Sequence, residues 1–167
     1  MRRVSSIVFA LALAMPIAAW AQAKPDFSGT WTMNAEKSDP PPQGRGGGGG
    51  GGRGPAGPIT IKQTATELSI TSEGRQGPQT LTYKLDGTES SNEMMGRGGA
   101  ATTVKSKAKW DGSSLVIETT QDMGGTPVTS TAKRRLDNDG KDMIVETSTT
   151  GGPNGPMTRK VVYTKGS

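Results

Sequence analysis

Beyond residue 23 the chain settles into a repeated pattern: a short segment rich in Thr, Val, Ile and Ser, apolar at every second position, closed by Gly, Asp, Asn or Pro. Nine such segments can be read: Phe27 to Met33, Pro58 to Thr64, Glu67 to Ser72, Gln79 to Leu85, Thr102 to Trp110, Ser114 to Gln121, Pro127 to Leu136, Asp142 to Thr149 and Met157 to Lys165. Asp86-Gly87, Asp111-Gly112, Asn138-Asp139-Gly140 and the run Gly151 to Gly155 suit tight reversals that need positive φ. Successive strands joined this way are expected to be antiparallel neighbours. Outside residues 1–23, no stretch of ten carries the apolar stripe of an amphipathic helix, so helix is expected to be nearly absent. Glu89 to Ala101 shows no alternation and ends in small residues, and it reads as a loop.

Alternation also assigns faces. One face collects Phe27, Trp31, Met33, Ile59, Ile61, Leu68, Ile70, Leu81, Tyr83, Leu85, Val104, Ala108, Trp110, Leu115, Ile117, Val128, Ala132, Val145, Val161 and Tyr163. The other collects threonines and lysines such as Thr30, Lys62, Thr80, Lys84, Lys105, Lys107, Lys109 and Lys133, which is the signature of a sheet with one wet side. A meander this long with one apolar face has to close on itself, since an open one would leave that face bare and two edges free to pair. The expected fold is all-β, an antiparallel meander closing into a barrel of eight to nine strands.

Two segments stand outside the pattern. Residues 1–23 carry Arg2 and Arg3, an apolar run from Ile7 to Trp20 broken by Pro16, and the triplet Ala21-Gln22-Ala23. That order is the order of a secretory signal cleaved after Ala23, and the run falls short of the roughly 20 apolar residues a bilayer span needs. No cysteine follows it to take a lipid. The product is therefore expected to be periplasmic or secreted, without a membrane anchor, as a single domain over residues 24–167. Residues 39–58 hold three consecutive prolines and the unbroken run Gly46 to Gly52. Glycine at this density has a large ordering entropy and no side chains to offset it, so the segment is expected to be a disordered tether.

Composition then narrows the chemistry. The net charge of +5 drops to +3 without Arg2 and Arg3, and the basic residues are scattered, so nucleic acid is not an expected partner. There is no cysteine and no histidine in the chain. Disulfides, the usual thiolate nucleophile, the usual general base and the commonest metal ligand are all missing. Glu118 and Glu146, in matching Ile-Glu-Thr and Val-Glu-Thr contexts, are the nearest approach to a carboxylate pair, but alternation sends both to the wet face, toward Lys105, Lys107 or Lys133. The stretch Asp137 to Asp142 lacks the twelfth-position glutamate and flanking helices of a calcium loop and reads as a hairpin turn. No catalytic residue, metal site or cofactor is implied, and the chain is not expected to be an enzyme.

The run Asp26-Phe27-Ser28-Gly29-Thr30-Trp31, together with Val162-Tyr163-Thr164-Lys165, resembles the calycin group of barrels. Gly-x-Trp on the first strand is similar to the lipocalin signature, and Phe-x-Gly-Thr-Trp with a late Tyr-x-Lys is similar to the fatty-acid-binding proteins. The longer run Asp26 to Asp39 resembles the opening of small exported bacterial proteins of unassigned activity. These likenesses cover about ten positions. They imply a lipocalin-like barrel around a small ligand, and a cation packed over Trp31, for which Arg159, Arg134 and Arg135 are candidates. They also imply an Arg-x-Tyr on the last strand to hold a ligand carboxylate. Here the position two before Tyr163 is Val161, with Arg159 two residues further back.

The expected function is an exported, non-catalytic, monomeric binding protein holding a small apolar or amphipathic molecule, with Trp31, Tyr83, Trp110, Tyr163 and Arg159 as candidate ligand-binding residues. The small inward residues Ser106, Ala108, Ser130 and Ala132 fit a ligand cavity, and equally fit two sheets closing tightly on each other. In the second case the chain is a structural or interaction module of the cell envelope with a filled interior.

Overall fold

The computed structural model describes residues 24–40, 57–74, 77–95, 101–122, 125–151 and 155–166. The expected signal at 1–23 and positions 41–56 of the expected tether lie outside the described residues. Ten strands follow one another: β1 (Gly29–Asn34), β2 (Ile59–Gln63), β3 (Glu67–Gly74), β4 (Gly77–Lys84), β5 (Glu89–Met95), β6 (Ala101–Asp111), β7 (Ser114–Asp122), β8 (Pro127–Asp137), β9 (Asp142–Thr150) and β10 (Met157–Lys165). Among the described residues there is no helix.

Every ladder is antiparallel, and the order is β4-β3-β2-β1-β10-β9-β8-β7-β6-β5. The meander is joined into a wall by β1 and β10, where Trp31 faces Lys165 and Met33 faces Tyr163. The turns are those the residues favour: Asn138, Asp139 and Gly140 adopt φ of 52°, 53° and 80°, and Gly87 and Gly112 are also positive. The inward face is the one alternation assigns. Phe27, Trp31, Leu68, Ala108 and Leu115 are fully buried on it, whereas Lys105, Lys107 and Lys109 are exposed on the other side of the same wall.

The strand count is ten, not eight to nine, because Glu89–Met95 is a strand where the sequence pattern predicts a loop. Its inward positions are Ser90, Asn92 and Met94, and it pairs with β6 through Ser90 opposite Ser106 and Asn92 opposite Val104. A strand whose inner face is mostly polar has no hydrophobic alternation to display.

The barrel is nearly closed, since β4 and β5 share a tight turn but no ladder. Side chains bridge them instead. Thr82 N–H donates to Asn92 Oδ1 (2.7 Å), Asn92 Nδ2 donates to the Thr82 carbonyl (3.0 Å), and Lys84 N–H donates to Ser90 Oγ (2.9 Å). Backbone groups along the β4 edge that would otherwise lack partners are satisfied in this way.

One end is plugged. The segment before β1 crosses beneath the strands and is held by Phe27 N–H donating to Gln63 Oε1 (3.1 Å) and Gln63 Nε2 donating to the Pro25 carbonyl (3.0 Å). Phe27 stacks on Trp110 with ring centroids 6.1 Å apart, and Trp31 Nε1 donates to the Phe27 carbonyl at 2.8 Å. The cation over Trp31 is Lys165, whose Nζ lies 5.4 Å from the ring centroid, so Arg159, Arg134 and Arg135 do not fill that place. Lys165 is the direct ladder partner of Trp31.

Where β1 ends, Ser38 and Asp39 take over the edge of β10. Val162 N–H donates to Ser38 Oγ (2.9 Å), Lys160 N–H to Asp39 Oδ2 (2.7 Å), and Asp39 N–H to the Lys160 carbonyl (2.9 Å).

Candidate functional site: the barrel interior

The ladders place inward side chains at successive levels above the plug. Trp110, Leu115, Arg134, Val145 and Val161 stand in register across β6 to β10; one level higher are Ala108, Ile117, Ala132, Thr147 and Arg159. The wall at these levels is concave and incompletely filled. Ile70, Leu81, Thr119, Ser130, Ala132 and Thr147 all face inward yet are only half-buried. A half-buried residue on a concave inner face has open space in front of it.

Arg134 is the central feature. Strict alternation along β8 carries Val128, Ser130, Ala132, Arg134 and Leu136 to the inside, so Lys133 and Arg135 on either side face out. Lys133 pairs there with Asp111 (2.8 Å) and Arg135 with Asp137 (3.6 Å). Arg134 is half-buried, and its Nη1 is sealed from water and has no hydrogen-bond partner. Burial pushes the guanidinium below its ordinary value, with Tyr83 and Tyr163 pulling the other way. Burial likewise raises both phenols against the nearby positive charge, from Arg134 for Tyr83 and from Arg134 and Arg159 for Tyr163. Both tyrosines therefore stay protonated at neutral pH and present O–H donors. No Asp or Glu faces inward from any described strand.

Three of the five candidate residues converge here. Tyr83 and Tyr163 lie near enough to Arg134 to feel its charge, and Arg159, opposite Thr147 on the level above, acts on Tyr163. Trp31 and Trp110 do not join them: Trp31 is fully buried in the plug, and Trp110 stacks on Phe27 with Lys24 Nζ 5.5 Å from its ring centroid. In the sequence Arg134 stands only as a candidate cation for Trp31. The signal that finds its actual place is the two-residue step from Ala132, masked by the run Lys133-Arg134-Arg135.

Elsewhere the chemistry is sparse. Glu118 and Glu146 are exposed on the outer face, as expected, but the close lysine pairs there are Lys105 with Glu89 (3.0 Å) and Lys133 with Asp111 (2.8 Å). A shallow outer depression of about 350 Å³ lies between Gly87, Lys107, Lys109, Val116, Glu118 and Thr131. It is lined by two lysines and a glutamate of the outer face.

No protein-family model matches the chain, and no curated protein matches it in sequence. Solved structures do match. A point mutant of the fluorescent protein UnaG aligns with a TM-score of 0.52 at 18% identity, over 84% of this chain and 96% of that one. Human cRBP IV aligns at 0.48 and 15%, over 85% and 99%, and a fatty-acid-binding protein isolated from Manduca sexta at 0.46 and 21%, over 64% and 71%. At 18% identity the likeness to the UnaG structure is one of fold alone: an antiparallel meander forming a nearly closed barrel.

Proposed function

We propose that this chain is an exported, non-catalytic binding protein that holds a small amphipathic molecule inside the barrel, with an anionic group against Arg134. The single observation that carries the reading is the Arg134 guanidinium, turned inward, short of a partner at Nη1 and facing no carboxylate among the described residues. Sealing a charge from water costs several kcal/mol unless an opposite charge or dipoles compensate it. Tyr83 and Tyr163 supply dipoles of the wrong sense for a cation when their hydrogens point to it, and of the right sense for an anion bound beside it. A carboxylate, sulfate or phosphate bridging Arg134 and the two phenols would satisfy all three groups, with Arg159 adding charge from one level up. Apolar inner wall from Ile61, Leu81, Ile117, Val145 and Val161 supports an apolar body attached to that anion. The absence of histidine and cysteine from the whole sequence supports the non-catalytic part of the reading.

Calorimetric titration of the mature domain with dodecanoate and with its methyl ester tests this. Dodecanoate is expected to bind and the ester to bind on the order of tenfold or more weakly, and Arg134→Met is expected to abolish the difference. If neither dodecanoate nor any other amphipathic anion binds, the filled envelope module replaces the carrier.

A further inference from the structure

We infer that the ligand of this barrel is an oxygenated acid, carrying hydroxyl or carbonyl groups on its body, and not a plain alkyl acid; this rests on the carrier reading above. The structure assigns that selectivity to a belt of hydroxyl side chains on the inner wall. Ser90 faces Ser106, Ser106 faces Thr119, Thr119 faces Ser130, and Ser130 faces Thr149, so that five neighbouring strands each contribute one hydroxyl at the same height. The level below is Ala108, Ile117, Ala132, Thr147 and Arg159, and the level above holds the buried Val104 and Val128 with Asn92 and Gln121. The belt is thus a run of five hydroxyls between levels that mix apolar and polar side chains.

Its hydrogen-bonding capacity is only partly used. Ser106 Oγ and Thr119 Oγ1 share one bond at 2.9 Å, and Ser130 Oγ and Thr149 Oγ1 share another at 3.1 Å. Ser90 Oγ accepts from Lys84 N–H, which leaves its own proton to donate. Two hydroxyls that share one bond retain one O–H and spare lone pairs between them, so each pair can still both donate and accept. Thr119 and Ser130, at the middle of the belt, are half-buried and face the interior.

The belt and the guanidinium lie on one wall at a fixed separation. Arg134 and Ser130 are on the same strand four residues apart, which at about 3.3 Å per residue puts the belt roughly 13 Å further from the plug at the backbone. A medium-chain acid such as dodecanoate, when extended, spans this distance. Its far end, or the rim of a comparable ring system, would lie among hydroxyls. For a methyl end this is a poor environment, and for an oxygen substituent a favourable one.

The matched pair dodecanoate and 12-hydroxydodecanoate, titrated into the mature domain, distinguishes the two. In a purely apolar barrel the added hydroxyl weakens binding, because it is dehydrated without replacement. With the belt as partner, 12-hydroxydodecanoate is expected to bind about five- to tenfold more tightly than dodecanoate. In the triple variant Ser106→Ala, Thr119→Val, Ser130→Ala the order is expected to reverse, with dodecanoate bound at least as tightly as by the natural sequence. Preservation of that affinity also shows that the variant is folded. Equal or tighter binding of dodecanoate by the natural sequence would overturn the inference while leaving the carrier reading in place. Failure of both acids to bind would remove the carrier reading itself.

Discussion

Asn92 holds the backbone of Thr82 with both ends of its side-chain amide, accepting from the N–H at 2.7 Å and donating to the carbonyl at 3.0 Å. A side chain thus reproduces the two bonds that a neighbouring strand would make. The β4 and β5 edges stay in contact without a ladder, and one residue carries much of that contact.

Asn92→Leu is expected to lower stability by about 1–3 kcal/mol, since two hydrogen bonds go and the Thr82 N–H loses its acceptor. Amide exchange gives a sharper test than global unfolding. The Thr82 amide should lose protection in the variant, whereas the Lys84 amide, held by Ser90, should keep it. Unchanged protection at Thr82 would mean that the seam is held by something other than this clasp.

Arg134→Met is expected to stabilise the ligand-free protein by about 1–4 kcal/mol, because an uncompensated buried charge gives way to an apolar chain of similar length. The same change should weaken dodecanoate binding to the level of its methyl ester. A fall in the unfolding temperature would instead identify Arg134 as a structural group that the two tyrosines need.

At the closed end, Trp31→Ala is expected to cost about 3–5 kcal/mol and Lys165→Ala about 0.5–1 kcal/mol, by chemical denaturation. Gly29 couples to both. It has φ of +135°, and a Cβ there would lie 2.8 Å from Lys165 Cε, so Gly29→Ala both strains the backbone and swings the lysine off the indole. Its cost should be smaller in the Lys165→Ala background, leaving the backbone strain alone. Full additivity in the double-mutant cycle would show that the two residues do not communicate.

Asp142, 7% exposed, receives hydrogen bonds from Lys37 Nζ (2.8 Å) and Thr164 Oγ1 (3.1 Å), which hold its carboxyl below its ordinary value of 3.8. A carboxylate with a depressed value in the folded state contributes stability that is present above about pH 4 and is lost as the pH falls through the folded value. Unfolding followed between about pH 6 and about pH 2 should show the natural sequence losing stability in that window more steeply than Asp142→Asn. Parallel curves would remove Asp142 from the acid response.

Most of the wall is legible in the sequence because apolar residues at every second position have one physical reading when Gly and Asp punctuate them. Two features are concealed there, both for the same reason. β5 turns Ser90 and Asn92 inward, so its strand period carries no hydrophobic contrast. Arg134 sits between Lys133 and Arg135, so a run of three cations resembles a wet face although its middle member is turned inside. Alternation is readable through hydrophobicity, and it falls silent where the interior itself is polar, which in this barrel is the region of the candidate site. Tyr83, Tyr163 and Arg159 are recoverable because each is flanked by positions whose orientation the apolar pattern fixes. Trp31 and Trp110 are aromatic and inward, but only the crossing of Phe27 beneath the strands reveals that they close the barrel end.

The pairing of β1 with β10 sets the order in which this molecule can be made. Asn34 meets Thr164, 130 positions further along the chain, so the wall remains an open curved ribbon until the segment around Lys165 has paired with β1. Until then the apolar lining is bare and both ribbon edges can join other copies. Such a topology folds slowly for its size, and the protein should depend on a holding chaperone during that interval more than a helical protein of equal length.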